Sequence, residues 1–287
     1  MQGVLVERPG DPHVPARQAV LRRQTWYPSP GPPVEAPADD LPAVFALLAA
    51  DLAGRGFAAA ALDRLLTNDE LVTLAGLFGV LQQHADERLL DHVEDRVILN
   101  LRADEAETDD RTWRLLFAEN YVMLHTELAG RPLHTQVRHL LFQCVAPTDR
   151  DSGGQTVLVP MAGVVHRLSG RETAVLSATR HAGFDDPPPF LSEFEGRVVV
   201  TFKDAEGEPL PWRYDGDDPT VTPDEVEDAL RSLLAAMYDP AIAFGIPWER
   251  NLLGAFDNTR FLHGRTFSRR PKDRPARHLR EVRVFAG

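Results

Sequence analysis

RPLHTQVRHLLFQCVAPTDRDSGGQTVLV (131–159) holds two runs of branched and apolar residues, HLLFQCV (139–145) and TVLV (156–159), parted by proline, aspartate and glycine. Runs this short, bounded by turn-forming residues, read as strands rather than helices. Working outward, the same pattern recurs in RVILNLR (96–102), RVVVTF (197–202), AIAFGI (241–246), NLLGAF (251–256) and REVRVFA (280–286). Many short strands with helices before and between them predict a mainly β fold with flanking helices, an antiparallel sandwich or jelly roll.

Three helices are marked by their caps. Asp40 with Pro42 in the first turn opens one over 41–53, whose apolar face (Val44, Phe45, Leu47, Leu48, Leu52) stops at Gly54. Thr67 and Glu70 have the form of a capping box and predict a helix over 68–82. Thr222, Pro223 and Glu225 open a third, with Val226, Leu230, Leu233, Leu234 and Met237 on its inner face, ending near Tyr238. Residues 1–39 culminate in YPSPGPPVEAPADD (27–40) and read as an extended proline-rich arm or a partly ordered leader, because proline removes amide donors and fixes the backbone. No interior linker is visible, so 40–287 is expected to form one jelly-roll domain with helical decorations.

The 287 residues carry 31 basic and 43 acidic side chains, a net charge of −12, so a nucleic-acid partner would meet repulsion. The single cysteine, Cys144, excludes an intrachain disulfide and is expected as a buried, inert thiol. The chain shows neither an export leader nor a run near the roughly 18 apolar residues of a membrane span, and reads as cytoplasmic. The segment from Arg265 to Arg283 is locally basic, which suits either a solvated surface or an anion site.

His125 and Glu127 in YVMLHTELAG (121–130) stand two residues apart, so on an extended segment both side chains share a face and can grip one ion. A third ligand is available from His263 in LLGAFDNTRFLHGRTFS (252–268), where LLGAFDN reads as a strand ending in a turn. Two imidazoles and one carboxylate, leaving an open coordination face, are the ligand set of a mononuclear non-haem iron(II) oxygenase. A zinc hydrolase can use the same donors, although the helical H-E-x-x-H arrangement is absent. A non-catalytic metal- or ligand-binding protein is the other alternative. His134, His139, His166, His181 and His278 show no partner pattern and read as structural.

In order, LHTEL (124–128), RPLHTQVRHLLFQCVAPTDRDSGGQT (131–156), DNTRFLHGRTF (257–267) and RHLREV (277–282) resemble the iron(II)/2-oxoglutarate-dependent dioxygenases of the taurine dioxygenase and clavaminate synthase-like superfamily. The resemblance implies a double-stranded β-helix core, iron(II) on His125, Glu127 and His263, and 2-oxoglutarate and O2 consumed with succinate and CO2 as coproducts. It implies a 2-oxoglutarate contact from the Thr156 hydroxyl and a distal-carboxylate contact from Arg277, fourteen residues after His263, with Arg280 the second choice. A planar guanidinium suits that task because it holds a carboxylate through two parallel hydrogen bonds.

Arg265, Arg269, Arg270 and Arg274 are expected as solvated charges or as supports behind the site. Asp257 and Asn258 are expected either to hydrogen-bond the neighbours of His263 or simply to form the turn before it. Related halogenases replace the carboxylate ligand by a small residue, so Glu127 speaks against halogenation. The resemblance further implies a small amino acid or related specialised metabolite as substrate, undergoing hydroxylation, desaturation or cyclisation, with Asn100 and Arg213 as candidate substrate contacts.

Overall fold

Along the chain of the computed structural model, which describes residues 1–22, 26–102, 117, 120–147, 153–268 and 275–287, strand β1 (Gln2–Leu5) leads through helix α1 (His13–Leu21) to β2 (Val34–Ala36). Helix α2 (Leu41–Arg55) delivers β3 (Phe57–Leu62), and α3 (Asn68–Gly76) delivers β4 (Val80–Leu81), β5 (Val93–Glu94) and β6 (Ile98–Arg102). Strands β7 (Val122–His125), β8 (Val137–Ala146) and β9 (Thr156–Pro160) follow, then helices α4 (Met161–Val165) and α5 (Gly170–Ser177). Strands β10 (Thr179–His181), β11 (Leu191–Phe194), β12 (Arg197–Val200) and β13 (Leu210–Tyr214) precede helix α6 (Pro223–Met237). The last strands are β14 (Phe244–Ile246), β15 (Leu252–Asp257), β16 (Phe261–Arg265) and β17 (His278–Phe285).

Two sheets frame the site, one in the order β2-β3-β15-β8-β17-β6-β5 with β4 on β17, the other in the order β14-β9-β16-β7. Strand alternation sorts their side chains into layers. Leu140, Phe142 and Cys144 of β8, Phe256 of β15 and Leu279 of β17 meet Leu158 of β9 and Phe261 of β16 in one apolar core. Leu141, Leu253, Val282 and Val284 point the other way, onto Val44, Leu48, Leu71 and Leu74 of α2 and α3. On the outer face of the smaller sheet, Leu124, Val157, Val159 and Leu262 pack on Val20 and Leu21 of α1 and Leu230 and Leu233 of α6. Each fully buried leucine or phenylalanine in these layers contributes roughly 1.5–3 kcal/mol through its removal from water. The mainly β fold with flanking helices is thus as expected. Cys144 is buried, and burial pushes its thiol up to about 12, so it stays protonated and inert.

The helix caps form where the sequence marks them, but two lengths differ. The Asp40 carboxylate accepts from the Ala43 amide at 3.0 Å, and α2 runs to Arg55 rather than 53 because the left-handed C-cap is Gly56 (φ 74°), not Gly54. The Thr67–Glu70 capping box is complete, yet α3 ends at Gly76 and not at 82. Gly79 (φ 149°) turns the chain, and Val80–Leu81 pair with β17 instead of continuing the helix. The Ala-rich β3 carries no strand propensity; it is extended because β15 pairs along it.

The first 39 residues depart most from expectation. They are no simple extended arm: β1 pairs antiparallel with β13, α1 packs in the layer of α6, and β2 pairs with β3. A buried bidentate pair ties them down, with Arg17 Nε donating to Asp204 Oδ2 at 2.7 Å and Nη2 to Oδ1 at 2.9 Å.

Candidate metal centre and cosubstrate pocket

β7 and β16 are antiparallel neighbours in the smaller sheet, and their register sets His125 directly opposite His263. Both strands send these side chains inward while Leu124 and Leu262 turn to the outer core. The two rings lie 4.1 Å apart between centroids. Glu127 follows β7 by two residues, before the chain bends at Leu128 (φ 59°). Its Oε2 lies 3.6 Å from His125 Nε2 and 4.0 Å from His263 Nε2. One ligand atom from each residue falls within 4.8 Å of the others, a triangle one small cation can occupy. LLGAFDN is a strand ending in a turn, as expected, and His263 lies in the middle of the strand that follows.

Neighbouring groups orient this triangle. His125 Nδ1 is 2.9 Å from the Met123 carbonyl, which leaves Nε2 for a metal. Asn258 Oδ1 accepts from the Glu127 amide at 2.9 Å, while its Nδ2 donates to the carbonyls of Glu127 (3.1 Å) and Val137 (2.9 Å). Asn258 therefore fixes the backbone of Glu127, itself a neighbour of His263. Asp257 Oδ1 accepts from the Thr259 amide at 2.8 Å in the β15–β16 turn, and its Oδ2 lies 3.1 Å from Arg138.

The electrostatics favour bound cations. Burial alone would raise the Glu127 carboxyl, but Arg283, whose Nη1 is 2.8 Å from Glu127 Oε1, and the two imidazoles hold it below the usual carboxylate range. Burial, then proximity to His125, drives His263 well below its ordinary value, so its imidazole is neutral. Arg283 also donates to Glu281, which burial pushes upward. Sequence reasoning missed Arg283 and Glu281, although the alternation of β17 could have found them. Arg277, Glu281 and Arg283 share parity, and all three line the cavity of about 530 Å³ onto which the triangle opens.

Arg277 is buried with neither Nε nor Nη1 hydrogen-bonded, and burial lowers it to about 10. A desolvated guanidinium in that condition is completed by an anion. Gly154 (φ 81°) makes room for it, since a Cβ there would sit 3.2 Å from Arg277 Cδ. Thr156 lines the same cavity; its Oγ1 accepts from Trp248 Nε1 at 2.9 Å, so its own proton is available to a ligand. Arg265 pairs with Thr156 across β16 and β9. Of the two expectations for it, a solvated charge or a support behind the site, burial excludes the first, and burial and Arg277 lower it to about 9. Arg269, Arg270 and Arg274 lie outside the described residues.

Three expected contacts are not at the cavity. Arg280 has the opposite parity to Arg277 and Arg283, and donates to Asn68 Oδ1 at 2.9 Å, to the Leu66 carbonyl and to Gln143 Oε1 on the helical side of the sheet. Asn100 stands opposite Arg280 in the register and bonds His278, His92 and Glu94. Arg213 lies on β13 in a separate three-stranded sheet, paired with Asp215. His84 and Lys203, which the sequence did not single out, do line the cavity.

The residues present thus suit both an iron(II) ion and a dicarboxylate cosubstrate, and comparison with known proteins agrees. The chain is 26% identical over 251 residues to tyrosine isonitrile desaturase of Erwinia amylovora, covering 80% of this chain and 75% of that protein. Its fold resembles PvcB of Pseudomonas aeruginosa with a TM-score of 0.61 at 21% identity, over 84% of this chain and 79% of PvcB. It also resembles an asparagine oxygenase bound to Fe(II), 3-hydroxyasparagine and succinate, with a TM-score of 0.62 at 15% identity, over 97% and 92% of the two chains. The family model for the taurine catabolism dioxygenase TauD, TfdA family, matches residues 23–283, nearly the whole chain. The chain belongs to that family and is an iron(II)/2-oxoglutarate-dependent dioxygenase.

Proposed function

We propose that His125, Glu127 and His263 hold the iron, that Arg277 and Thr156 hold 2-oxoglutarate, and that the two facing sheets are a double-stranded β-helix. The observation that supports this most strongly is the pairing of a three-donor triangle with a buried, unpartnered Arg277 on the wall of one cavity. Iron(II) there supplies O2 activation coupled to oxidative decarboxylation of 2-oxoglutarate. The protein's share is positional: Arg277 and Thr156 fix the cosubstrate, Asn258 fixes Glu127, and the carboxylate at position 127 occupies the place a halide would need.

The substrate in this reading is an amino acid or a derivative of one, oxidised at an unactivated C–H bond in specialised metabolism. Leu89, Leu99, Leu101 and Phe142 line the cavity and suit a substrate with an apolar body. Among the relatives, one is a tyrosine isonitrile desaturase, and PvcB is an Fe, α-ketoglutarate-dependent oxygenase from an isonitrile synthetic pathway. Both fit that class.

The test is succinate release and product mass across a panel of amino acids and their N-modified derivatives under Fe(II), ascorbate and O2. A gain of one oxygen marks hydroxylation; a loss of two hydrogens marks desaturation or cyclisation. His125→Ala and His263→Ala should abolish succinate formation, and His166→Ala should retain most of it. Equal loss in all three would refute the ligand assignment.

A further inference from the structure

The cavity wall carries five cationic side chains, Arg131, Lys203, Arg265, Arg277 and Arg283, and three of them have work already. Arg283 sits between Glu127 and Glu281. Arg265 donates to the Asn120 carbonyl and, with Arg277, stands at the Thr156 end of the cavity. Arg131 and Lys203 remain. Both are exposed, and among the described residues neither has a hydrogen bond or ion pair from its side chain.

Place sets them apart: exposed Arg55, Arg88 and Arg171 are paired with carboxylates, and exposed arginines that are not, such as Arg8 and Arg96, are not among the residues lining the cavity. Lys203 is also chemically distinctive, because the chain has only two lysines among its 31 basic residues. This one is bridged across strands to the backbone of His125, one of the three triangle residues. It lines a second cavity too, of about 340 Å³, which shares Phe184 and Lys203 with the first. A lysine differs from an arginine in offering a compact ammonium on a flexible stem, suited to a single charge that must enter and leave.

The deeper charges of the cavity are already engaged. Glu281 is a buried carboxylate on the cavity side of β17, Glu127 lies near it, and Asp204 is committed to Arg17 and Tyr238. With Arg283 paired to Glu127 and Glu281 and Arg277 set aside for the cosubstrate, an acid entering this cavity meets its free counter-charges in Arg131 and Lys203.

We propose that Lys203, assisted by Arg131, docks a free carboxylate of the substrate, so that the enzyme acts on a free acid rather than on an ester, amide or carrier-bound thioester. This rests on the oxygenase reading and names the substrate class for the same site. The apolar body then lies against Leu89, Leu99, Leu101 and Phe142, and the carbon to be oxidised is held by its distance from the docked acid.

Matched pairs of acid and primary amide on phenylpropyl, 4-hydroxyphenylpropyl, indolylpropyl and straight-chain alkyl skeletons test this. Each is titrated anaerobically into the Fe(II)·2-oxoglutarate complex, and the perturbation of its visible charge-transfer band gives the dissociation constant. At least one acid should bind about tenfold or more tightly than its amide. That preference should fall to near unity in the Lys203→Gln, Arg131→Gln double variant and persist in Lys203→Arg. The proposal is overturned if amides bind as well as acids, if the preference survives the double variant, or if no acid perturbs a band that is itself present. Absence of the band from the wild-type complex would instead overturn the oxygenase reading.

Discussion

Arg277 immediately precedes β17 and Arg280 lies three positions on, within it, and that odd difference puts their side chains on opposite faces. Arg277 faces the cavity with unpaired donors, whereas Arg280 is saturated by Leu66, Asn68 and Gln143 on the far side of the sheet. Arg277→Ala should raise the 2-oxoglutarate concentration needed for half-maximal rate about a hundredfold, the scale of losing a buried charge pair, with a smaller change in kcat. Arg280→Ala should lower the urea midpoint and leave that requirement nearly unchanged; the opposite pattern would put the cosubstrate on the other face. Asn258→Ala should weaken iron binding about 10- to 100-fold in an anaerobic Fe(II) titration, because it frees the Glu127 backbone. Unaltered iron affinity would mean the clamp is idle. His125, Glu127 and His263 were legible in the chain as a possible ligand set from residue type and spacing, and Arg277 through the resemblance, which places an arginine fourteen residues after His263. Arg283 and Glu281 needed the alternation of β17 to be followed on from Arg277, and Lys203 takes its meaning from a cross-strand bridge to His125 that the sequence does not show.

At the scale of elements, what could be read was local. Asp40, Thr67 and Thr222 cap helices through atoms within three residues, so their sequence signatures transfer directly to the structure. What could not be read was long-range: β3 is an alanine run held extended by β15, and β1 finds its partner some two hundred residues away in β13. The proline-rich opening hid a helix whose Arg17 reaches Asp204, and Tyr238 donates to the same carboxylate at 2.6 Å while accepting from the Leu124 amide at 3.0 Å. That chain of contacts runs from α1 to the strand residue preceding His125. Arg17→Ala strands a buried carboxylate and should cost about 3–5 kcal/mol in urea denaturation. A cost under about 1 kcal/mol would show that α1 is dispensable to the body.

The whole molecule is a stack: helices α2 and α3, the larger sheet, a shared apolar core, the smaller sheet, then α1 and α6. The site opens where the inner faces of the two sheets turn from leucine and phenylalanine to histidine, carboxylate and arginine. Among the described residues no helix is long and apolar enough to cross a membrane. Everything at this scale serves to bring β7, β16 and β17 within reach of one small volume, so the central claim is that this volume holds iron and 2-oxoglutarate together. The direct measurement is the visible absorption of the anaerobic protein after addition of Fe(II) and 2-oxoglutarate. A weak charge-transfer band should develop with one iron per chain, persist in His166→Ala, and be absent in His263→Ala. No band in the wild-type protein, or an undiminished band in His263→Ala, would contradict the account.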